Sequence, residues 1–550
     1  MNILEQYMGN KDKIDLEMEE LSEYITDLLG MEFRVGVEVT EDDHLKKLEV
    51  VTERDRFKTV YVKDDYAKVL KIIDEQIDGY RNNSFIHDIE GNINDIVMQL
   101  IFSNYKEFSI KEKIDLKRFI KLIQNISNLT YENKSVDMNI FLNLEKGNMR
   151  KLEGFFDCIA LERKGLKEFI FSQKPLLKIL DKKNYSLILD KDYYATYFLK
   201  RKFNQVNIEQ YMNNMINNQE KSLFIKDLIR ELKYLSNIKF KVNFVDSYIE
   251  SINKTISEEA KEESRQAHSL LKKNERKINK IMNKFSKEII NNLTVEEKKI
   301  MNNDRYPIYI LIQNNKIEFW NNNYYSLAKI NSVWKIKNYV LLAHEIFAGI
   351  YLNPNNLFTD IDIISKNVFI DTIRNINNDC IYKEDINKTV IETINKIKVI
   401  SSKIFKLIRV IKRLSMEKEG ALFIIVTDMN LFKNNRSEII VEETNDNFYK
   451  NINKGKCICD INDDDLEIIA TVDGSILLDT KFNILTFGEM IKPQEIDKSR
   501  CGNIYGARTN AAVNASNFGI SIKVSEDGDV SLYRKVIYKE KSITEKTVYI

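Results

Sequence analysis

The sequence is short of proline, glycine and cysteine for a chain of 550 residues, with four, 17 and five of them respectively. Such scarcity of proline and glycine excludes collagen-like and low-complexity chains. The 43% of hydrophobic and 30% of charged residues are typical of a folded globular protein. Five scattered cysteines, an odd number, indicate no disulfide framework, and the length predicts several domains.

Charge of one sign and long apolar runs are also missing. Lysine and arginine number 84 against 83 aspartates and glutamates, so no basic field argues for nucleic acid or for an anionic membrane. The sequence contains no apolar run long enough to span a bilayer, and no apolar signal-peptide segment follows Met1. These features predict a cytoplasmic protein with no membrane partner.

Two short patterns could hold a metal, and each is incomplete. Cys457 and Cys459 form a lone C-x-C pair without the second cysteine pair of a structural zinc site. His344 and Glu345 begin a pattern used by zinc proteases, but Ala348 stands where the second histidine ligand belongs. We therefore expect neither a zinc site nor a metalloprotease.

The patterning predicts an α/β class, as an α+β multidomain protein with four regions. Near the N-terminus, KIDLEMEELSEYITDLL is typical of an amphipathic helix, FRVGVEV of a strand and YAKVLKIIDEQIDGY of a further helix. The predicted regions are a mixed α/β region at 1–100, a mainly helical region with a long charged helix at 101–300, a small α/β sensor-like module at 301–395 and a mixed-sheet α/β domain at 396–550.

The two middle regions differ in their patterns. Charged segments at 201–235 and 255–293 have apolar residues three and four apart; the second indicates a bundle helix or spacer, with a dimerising helix as the alternative. The module at 301–395 opens with strand-like runs, YPIYILIQ, KIEFWN, SLAKI and VWKIKNYVLLA. We expect its Trp320 and Trp334 in a core rather than in a ligand cage. The signal or partner of the N-terminal regions is not readable.

The last region has the tightest alternation of helix and strand patterns. KVISSKIFKLIRVIKRLSMEKEG predicts an amphipathic helix that Gly420 stops, and ALFIIV predicts a fully buried strand. LEIIATV, SILLD and NILTFG predict strands, and GARTNAAVNAS predicts the start of a helix. GISIKVS and VSLYRKVIY flank EDGD as a hairpin. The pattern predicts a mixed sheet with helices packed on it.

Three polar stretches in this region could bind a nucleotide. Asp473-Gly474-Ser475 offers a carboxylate and a close backbone approach, although Asp-Gly is also a common hairpin turn. Gly506 to Ala512 opens a helix whose free N–H groups and Arg508 suit an anion, although it could be a plain cap. Val524 to Asp529 places a hydroxyl and acids at a strand end, or simply forms a polar turn.

In their order and spacing these stretches resemble the diadenylate cyclase family. That family has R/K-L-S, G-A-L, D-G-A, G-T-R-H-R-A-A and V-S-E-E blocks in this order. The matching segments here are Arg413-Leu414-Ser415, Gly420-Ala421-Leu422, Asp473-Gly474-Ser475, Gly506 to Ala512 and Val524-Ser525-Glu526-Asp527. The resemblance covers residues 396–540 and implies condensation of two ATP molecules into cyclic di-AMP and pyrophosphate.

The resemblance implies roles for particular residues. Asp473 and Arg508 would be catalytic, and Asp473, Glu526 and Asp527 would face an Mg²⁺ or Mn²⁺ ion. The nucleotide would be bound by Gly474, Ser475, Ile491, Gly506, Ala507, Thr509, Asn510 and Ser525. Because each domain supplies half of the reaction, the resemblance also implies a homodimer or higher oligomer with cyclase domains face to face.

The chain departs from the family at several of these positions. Thr509 and Asn510 replace a histidine and an arginine, Ala507 replaces a threonine, and Ser475 replaces an alanine. Loss of an arginine that pairs with the triphosphate would cost on the order of 1.5–3 kcal/mol. The departures leave a second hypothesis open, in which a catalytically degenerate domain binds ATP or cyclic di-AMP as a sensor.

Overall fold

The protein is described from a computed structural model. The described residues are 11–29, 33–42, 45–54, 71, 73, 89–102, 110–131, 134–143, 152–172, 175–203, 205–235, 307–313, 315–320, 325–330, 333–351, 383–441, 453–492, 506–538 and 541–548. The predicted helices at 66–80, apart from 71 and 73, and at 255–293 lie outside them. In the described part, no helix is both long and apolar enough to cross a membrane.

Helices and strands alternate along the described chain. The helices are α1 (Lys11–Leu29), α2 (Ile89–Phe102), α3 (Ile110–Ser127), α4 (Leu166–Ser172), α5 (Leu176–Ile179), α6 (Ile208–Leu235), α7 (Tyr339–Tyr351), α8 (Lys383–Glu417), α9 (Met429–Asn434), α10 (Arg436–Ile439), α11 (Asp463–Thr471) and α12 (Ala507–Ala515), with a 3-10 turn at Ile458–Asp460. The first twelve strands are β1 (Phe33–Asp42), β2 (Leu45–Arg54), β3 (Thr130–Tyr131), β4 (Lys134–Ser135), β5 (Met138–Leu142), β6 (Phe156–Gly165), β7 (Tyr185–Leu189), β8 (Tyr194–Arg201), β9 (Ile308–Gln313), β10 (Lys316–Trp320), β11 (Ser326–Ile330) and β12 (Val333–Lys337). The remaining strands are β13 (Ala421–Val426), β14 (Ser475–Leu478), β15 (Ile484–Glu489), β16 (Gly519–Val524), β17 (Val530–Tyr538) and β18 (Lys541–Val548).

The N-terminal helix and strand predictions are confirmed. The predicted amphipathic helix is α1, in which Met18, Leu21, Ile25 and Leu28 are buried, whereas Leu16 is 56% exposed. The predicted strand is β1, which pairs antiparallel with β2. The apolar face of α1 joins the core beneath the larger of the two main sheets.

That larger sheet has eight strands in the order β12-β11-β10-β9-β5-β7-β8-β6. Its centre joins β5 antiparallel to β9, with Ile140 opposite Ile310, so the sheet crosses the predicted region boundary at residue 300. The region 101–300 also contains strands β3 to β8, although its pattern predicted mainly helix. The five residues of β5 are all buried, and such a short, uniformly apolar run has no period that separates strand from helix.

The second main sheet has six strands in the order β15-β14-β13-β16-β17-β18. Strands β13 and β14 are parallel and the other neighbours are antiparallel, which confirms a mixed sheet. ALFIIV is fully buried, as predicted. Phe423 and Ile425 face the core shared with α7, α8 and α11, whereas Leu422 and Ile424 face the core shared with α9, α10 and α12. The domain is therefore a sheet between two helical layers.

Two strand predictions are wrong, in part or whole. LEIIATV is helical in α11, because Asn462 accepts a hydrogen bond from the backbone of Asp465 at 2.6 Å and Asp463, Asp464 and Asp465 occupy the first turn. In VWKIKNYVLLA the strand ends at Lys337. Helix α7 begins directly after Asn338, whose side chain accepts from the Leu341 backbone at 2.9 Å.

Helix α8 connects the two sheets physically. It packs against α6 and α7, and its Ile404, Leu407 and Ile411 are fully buried. The helix ends at Glu417, because Lys418 takes the left-handed conformation with φ 60° and Glu419 donates to the Leu414 carbonyl at 2.9 Å. Gly420 therefore lies just before β13, two residues beyond the left-handed Lys418 that ends the helix.

Candidate functional site at one edge of the six-stranded sheet

The sheet pairing brings the three polar stretches to a single edge. Phe423 lies beside Ile476 in the parallel pair of β13 and β14, and Ala421 lies opposite Val524 of β16. Consequently the residues before β13, before β14 and after β16 share one edge. Ser475 lies opposite Glu489, so the end of β15 reaches the same edge.

Arg508 and Glu526 form an ion pair at this edge. Arg508 Nη1 lies 2.6 Å from Glu526 Oε1, with 33% and 75% of the two side chains exposed. Gly420 lies directly against the pair, because a Cβ there would be 2.2 Å from Arg508 Nη1 and 3.1 Å from Glu526 Cγ. The absence of a side chain at 420 thus makes room for the guanidinium.

Thr509, near the start of α12, accepts a hydrogen bond from a lysine. Lys523 Nζ, on β16, lies 2.8 Å from Thr509 Oγ1. Burial, with the nearby positive charges of Lys546 and Arg508, lowers the pKa of Lys523, while Asp529 and Asp527 oppose the shift. Sequence analysis missed Lys523. The signal available was a basic residue between Ile522 and Val524, both buried.

The Asp473-Gly474-Ser475 stretch divides into an exposed acid and a buried anchor. Asp473 is exposed, and within the described part of the chain its carboxylate has no hydrogen-bond or ion-pair partner. Gly474 has φ 111°, and a Cβ there would lie 2.5 Å from the Gly488 carbonyl carbon. Ser475 is buried and donates to the Glu489 carbonyl at 2.8 Å, so its hydroxyl joins two strands.

The turn after β16 is held in place by its own backbone and by α8. Ser525 Oγ accepts from the backbone N–H groups of Asp527 and Asp529 at 3.2 and 3.3 Å. Ser415 at the end of α8 donates to the Gly528 carbonyl at 2.5 Å, and Lys335 of β12 pairs with Asp529 at 2.8 Å. The exposed acids Glu526 and Asp527 therefore project from a fixed turn.

The remaining predicted residues surround the same edge. Gly506 has φ 97° and precedes α12, and its carbonyl accepts from the Asn510 backbone at 3.2 Å. Ala507 is exposed, and the first N–H groups of α12 have no partner within the helix itself. Ile491 lies beyond the end of β15, where it bridges Ile440 and is 9% exposed. Buried Glu489, which accepts from Thr486 at 2.8 Å, was not predicted.

The carboxylates at the edge suit a hard divalent cation only together with a ligand. Among the described residues, no three histidine, cysteine, aspartate or glutamate side chains come together as a metal site. Mg²⁺ is commonly held by one or two carboxylates plus substrate phosphates, and the exposed Asp473 and Asp527 could supply those oxygens. The donor set therefore fits a metal that arrives with a nucleotide.

The two incomplete metal patterns have ordinary surroundings. His344 Nε2 lies 3.5 Å from Asp227 Oδ2, and its ring centroid lies 4.7 Å from that of Phe224. Glu345 pairs with Arg534 at 3.2 Å. Burial and the neighbouring Cys457 raise the pKa of Cys459 to about 11, so this thiol is protonated at neutral pH.

Comparisons with known proteins add no family or relative. The chain matches no protein-family model and is significantly similar to no curated protein. The proposed function therefore rests on the side chains at the sheet edge.

Proposed function

We propose that the six-stranded domain binds ATP at this edge and condenses two ATP molecules into cyclic di-AMP. The observation that carries the proposal is the convergence of Asp473, Gly420 with the Arg508–Glu526 pair, and the Ser525 turn at one sheet edge. Each of the three polar stretches could by itself be a plain turn or a helix cap. Turns and caps, however, give no reason for all three stretches to lie at the same edge of the sheet. The sequence blocks that resemble diadenylate cyclases are the ones that converge.

The chemistry would be phosphoryl transfer, repeated once. The 3′-oxygen of one ATP forms a bond to the α-phosphorus of the other, the bond from that phosphorus to the α,β-bridging oxygen breaks, and pyrophosphate leaves with the electron pair. The 3′-hydroxyl proton must be accepted as the bond forms. Asp473 is the exposed carboxylate positioned for that edge, and the proposal gives it this acid–base and cation-holding role.

Cationic groups at the start of α12 would hold the phosphates. Arg508 supplies a forked guanidinium, and the N-terminal N–H groups of α12 supply further donors. Lys523 supplies a positive charge beside Thr509, where the family has histidine followed by arginine. In the proposal, one or two of the carboxylates of Asp473, Glu526 and Asp527 would hold Mg²⁺ or Mn²⁺ together with the phosphates of the nucleotide, and the ion would neutralise phosphate charge.

Two domains are needed for the reaction, so the proposal includes a homodimer or larger assembly. One edge binds one ATP, and its 3′-oxygen must reach the α-phosphorus of a second ATP on another copy. A two-fold arrangement that presents the same edge from each copy satisfies both transfers at once.

A degenerate nucleotide sensor is the second candidate. The observation that favours it is the Arg508–Glu526 pair, since a guanidinium already neutralised at 2.6 Å must exchange partners before it can bind phosphate. In this alternative the same edge binds ATP or cyclic di-AMP without turnover, and the bound state is passed to α8 through Ser415.

The test is a product assay with matched carboxylate variants. The purified full chain is incubated with ATP and Mg²⁺ or Mn²⁺, and the products are identified by mass spectrometry. Asp473→Asn is compared with Asp460→Asn, which makes the same change at an exposed residue beside the start of β15, away from the edge.

We expect cyclic di-AMP from the unmodified chain and from Asp460→Asn, and a loss of about a hundredfold or more in Asp473→Asn. ATP binding without product under either metal would favour the sensor. Full activity in Asp473→Asn would remove Asp473 from the proposed catalytic role.

A further inference from the structure

A cavity lies away from the sheet edge, in a cleft between α6, the eight-stranded sheet and the C-terminal part of α8. Its volume is about 580 Å³, and its lining includes Gln210, Asn213, Asn214, Gln313, Trp320 and Arg413. Small-molecule sites have volumes of about 300–1,000 Å³. The cleft is therefore large enough for a ligand of nucleoside size.

The charged side chains of the cleft are almost all paired with one another. The pairs are Lys182–Glu209 at 3.1 Å, Lys337–Glu318 at 3.0 Å, Arg409–Asp463 at 2.6 Å, Arg413–Asp464 at 2.7 Å and Lys412–Glu220. A strongly anionic ligand would have to break several of these pairs, each at a cost in free energy. The cleft accordingly favours a neutral polar ligand.

One face of α6 presents a stripe of amides to the cleft. Gln210, Asn213, Asn214 and Asn217 are spaced by three, four and seven residues, which places them on the same side of the helix. Asn217 accepts from Lys412 at 3.2 Å. The side chains of Gln210, Asn213 and Asn214 have no hydrogen-bond partner among the described residues, so their donors and acceptors can serve a ligand.

Two groups on the sheet complete the lining. Gln313 Oε1 is buried, and no described group donates a hydrogen bond to it. A buried acceptor without a donor is destabilising, and a ligand that donates to it would relieve that cost. Trp320 lies on β10 next to Tyr309, with ring centroids 5.3 Å apart, and is only partly buried. Its indole is part of the lining of the cleft.

We propose that the cleft binds a nucleoside through its base. Each primary amide offers a donor and an acceptor side by side, as base edges do, and an indole face suits stacking on a planar base. The near balance of charge in the cleft selects an uncharged nucleoside over its triphosphate. This site is distinct from the sheet edge, and its existence does not depend on the function proposed there.

The cleft has a direct structural connection to that edge. Arg413, Met416 and Glu417 line the cleft, and Ser415 on the same turn of α8 donates to Gly528 in the Ser525 turn. Lys335, on β12 of the other sheet, pairs with Asp529 in that turn. A nucleoside that shifts the end of α8 would shift the turn that carries Glu526. This coupling, unlike binding itself, rests on the proposed cyclase function.

Binding is tested by calorimetric titration of the full chain with adenosine, guanosine, cytidine and uridine, and with glucose as a polar ligand without a base. The double variant Asn213→Ala/Asn214→Ala is compared with Asn218→Ala, an exposed residue of the same helix outside the cleft. Asparagine to alanine favours helix formation, so loss of fold is not expected.

We expect at least one nucleoside to bind, with an affinity about tenfold lower in the double variant and unchanged in Asn218→Ala. No binding by any of the four nucleosides up to about 1 mM, or equal affinity in both variants, overturns the proposal. Equal binding of glucose overturns the ligand class.

The coupling is tested separately by adding the bound nucleoside to the product assay. A change in cyclic di-AMP formation that disappears in the double variant supports coupling, and an unchanged rate overturns it. If the chain forms no product, the proposed function fails while the titration still decides whether the cleft binds a nucleoside.

Discussion

Two groups of charged side chains, one in the cleft and one at the sheet edge, differ sharply in their exposure. In the cleft, Lys412 and Glu220 form an ion pair with 15% and 10% of their side chains exposed. At the sheet edge, Glu526 is 75% exposed and Asp473 has no described partner. The buried pair joins α6 to α8, whereas the exposed acids remain available to a ligand. Charge density alone would not have separated a structural cluster from a candidate site.

The largest expected effect on stability is the loss of one partner in the cleft. Lys412→Met leaves the Glu220 carboxylate buried without a cation, since burial already raises the pKa of Glu220 and Lys412 is the group that opposes the rise. We expect a loss of about 3–5 kcal/mol in the free energy of unfolding, measured with urea.

The exposed Arg163–Asp190 pair is the control for that prediction. Its atoms lie 2.8 Å apart with 53% of the arginine side chain exposed, so Arg163→Met should cost far less stability than Lys412→Met. The double variant Glu220→Leu/Lys412→Met should recover much of the lost stability. Equal losses in Arg163→Met and Lys412→Met would contradict the assignment of the cleft pair as structural.

The next largest effect is expected at Gly474. An alanine there must hold φ near 111° and place its Cβ 2.5 Å from the Gly488 carbonyl carbon, so backbone must move. We expect a loss of about 1–3 kcal/mol by the same urea measurement. Gly165→Ala, where the new Cβ would contact nothing within 4 Å, should be close to neutral. A neutral Gly474→Ala would show that β14 and β15 can separate at this edge.

Gly420→Ala should weaken the binding of ATP and leave the stability of the fold almost unchanged. Its Cβ would displace the ends of Arg508 and Glu526, which are flexible side chains, rather than backbone. We therefore expect a change in unfolding free energy of less than about 1 kcal/mol and an affinity for ATP about tenfold weaker in equilibrium dialysis. Unchanged ATP affinity would mean that Arg508 does not bind the phosphates from this position.

The smallest effect concerns pH and lies where the two sheets meet. Lys316 Nζ lies beside Gly528, and burial, followed by the nearby Lys337 and Lys418, lowers the pKa of Lys316 to about 8. Between about pH 8 and the ordinary value of 10.5, the unfolded chain binds this proton and the folded chain does not. The contribution of Lys316 to stability therefore rises with pH in this window.

Lys316→Met should remove that contribution. Urea unfolding midpoints measured at pH 7.5, 9 and 10 should then depend less on pH than those of the unmodified chain. Lys200→Met, on the exposed surface of β8, is the control and should leave the profile unchanged. If the midpoint of Lys316→Met depended on pH as steeply as that of the unmodified chain, the lowered pKa of Lys316 in the folded protein would be contradicted.

Local patterns predicted much of the six-stranded domain. ALFIIV is uniformly apolar and follows Gly420, and it forms the central buried strand. The turn EDGD between two alternating runs does form the hairpin of β16 and β17. The strand prediction for LEIIATV was wrong, because seven residues are too few to distinguish the period of a helix from that of a strand. Asn462 and the three aspartates after it already indicated the start of a helix.

The candidate site was predicted in its parts but not in its contacts. Asp473, Arg508 and Ser525 were recognised from short blocks, and pairing of β13 with β14 and β16 places their stretches at one edge. The contact of Lys523 with Thr509 depends on how α12 packs on β16, which no local pattern encodes. Likewise β5 pairs with β9 across more than 160 residues, so the eight-stranded sheet could not be read from either segment alone.

Hydrogen exchange tests most directly whether the sheet edge binds ATP. The full chain is measured with and without Mg²⁺ and α,β-methylene ATP, an analogue whose methylene bridge blocks release of pyrophosphate. We expect slower exchange at the start of α12 and in the turn at 525–529, and less of this protection in Gly420→Ala at a nucleotide concentration near the dissociation constant of the unmodified chain. Unchanged exchange at both segments, with saturating nucleotide bound elsewhere in the chain, would contradict the assignment of this edge as the ATP site.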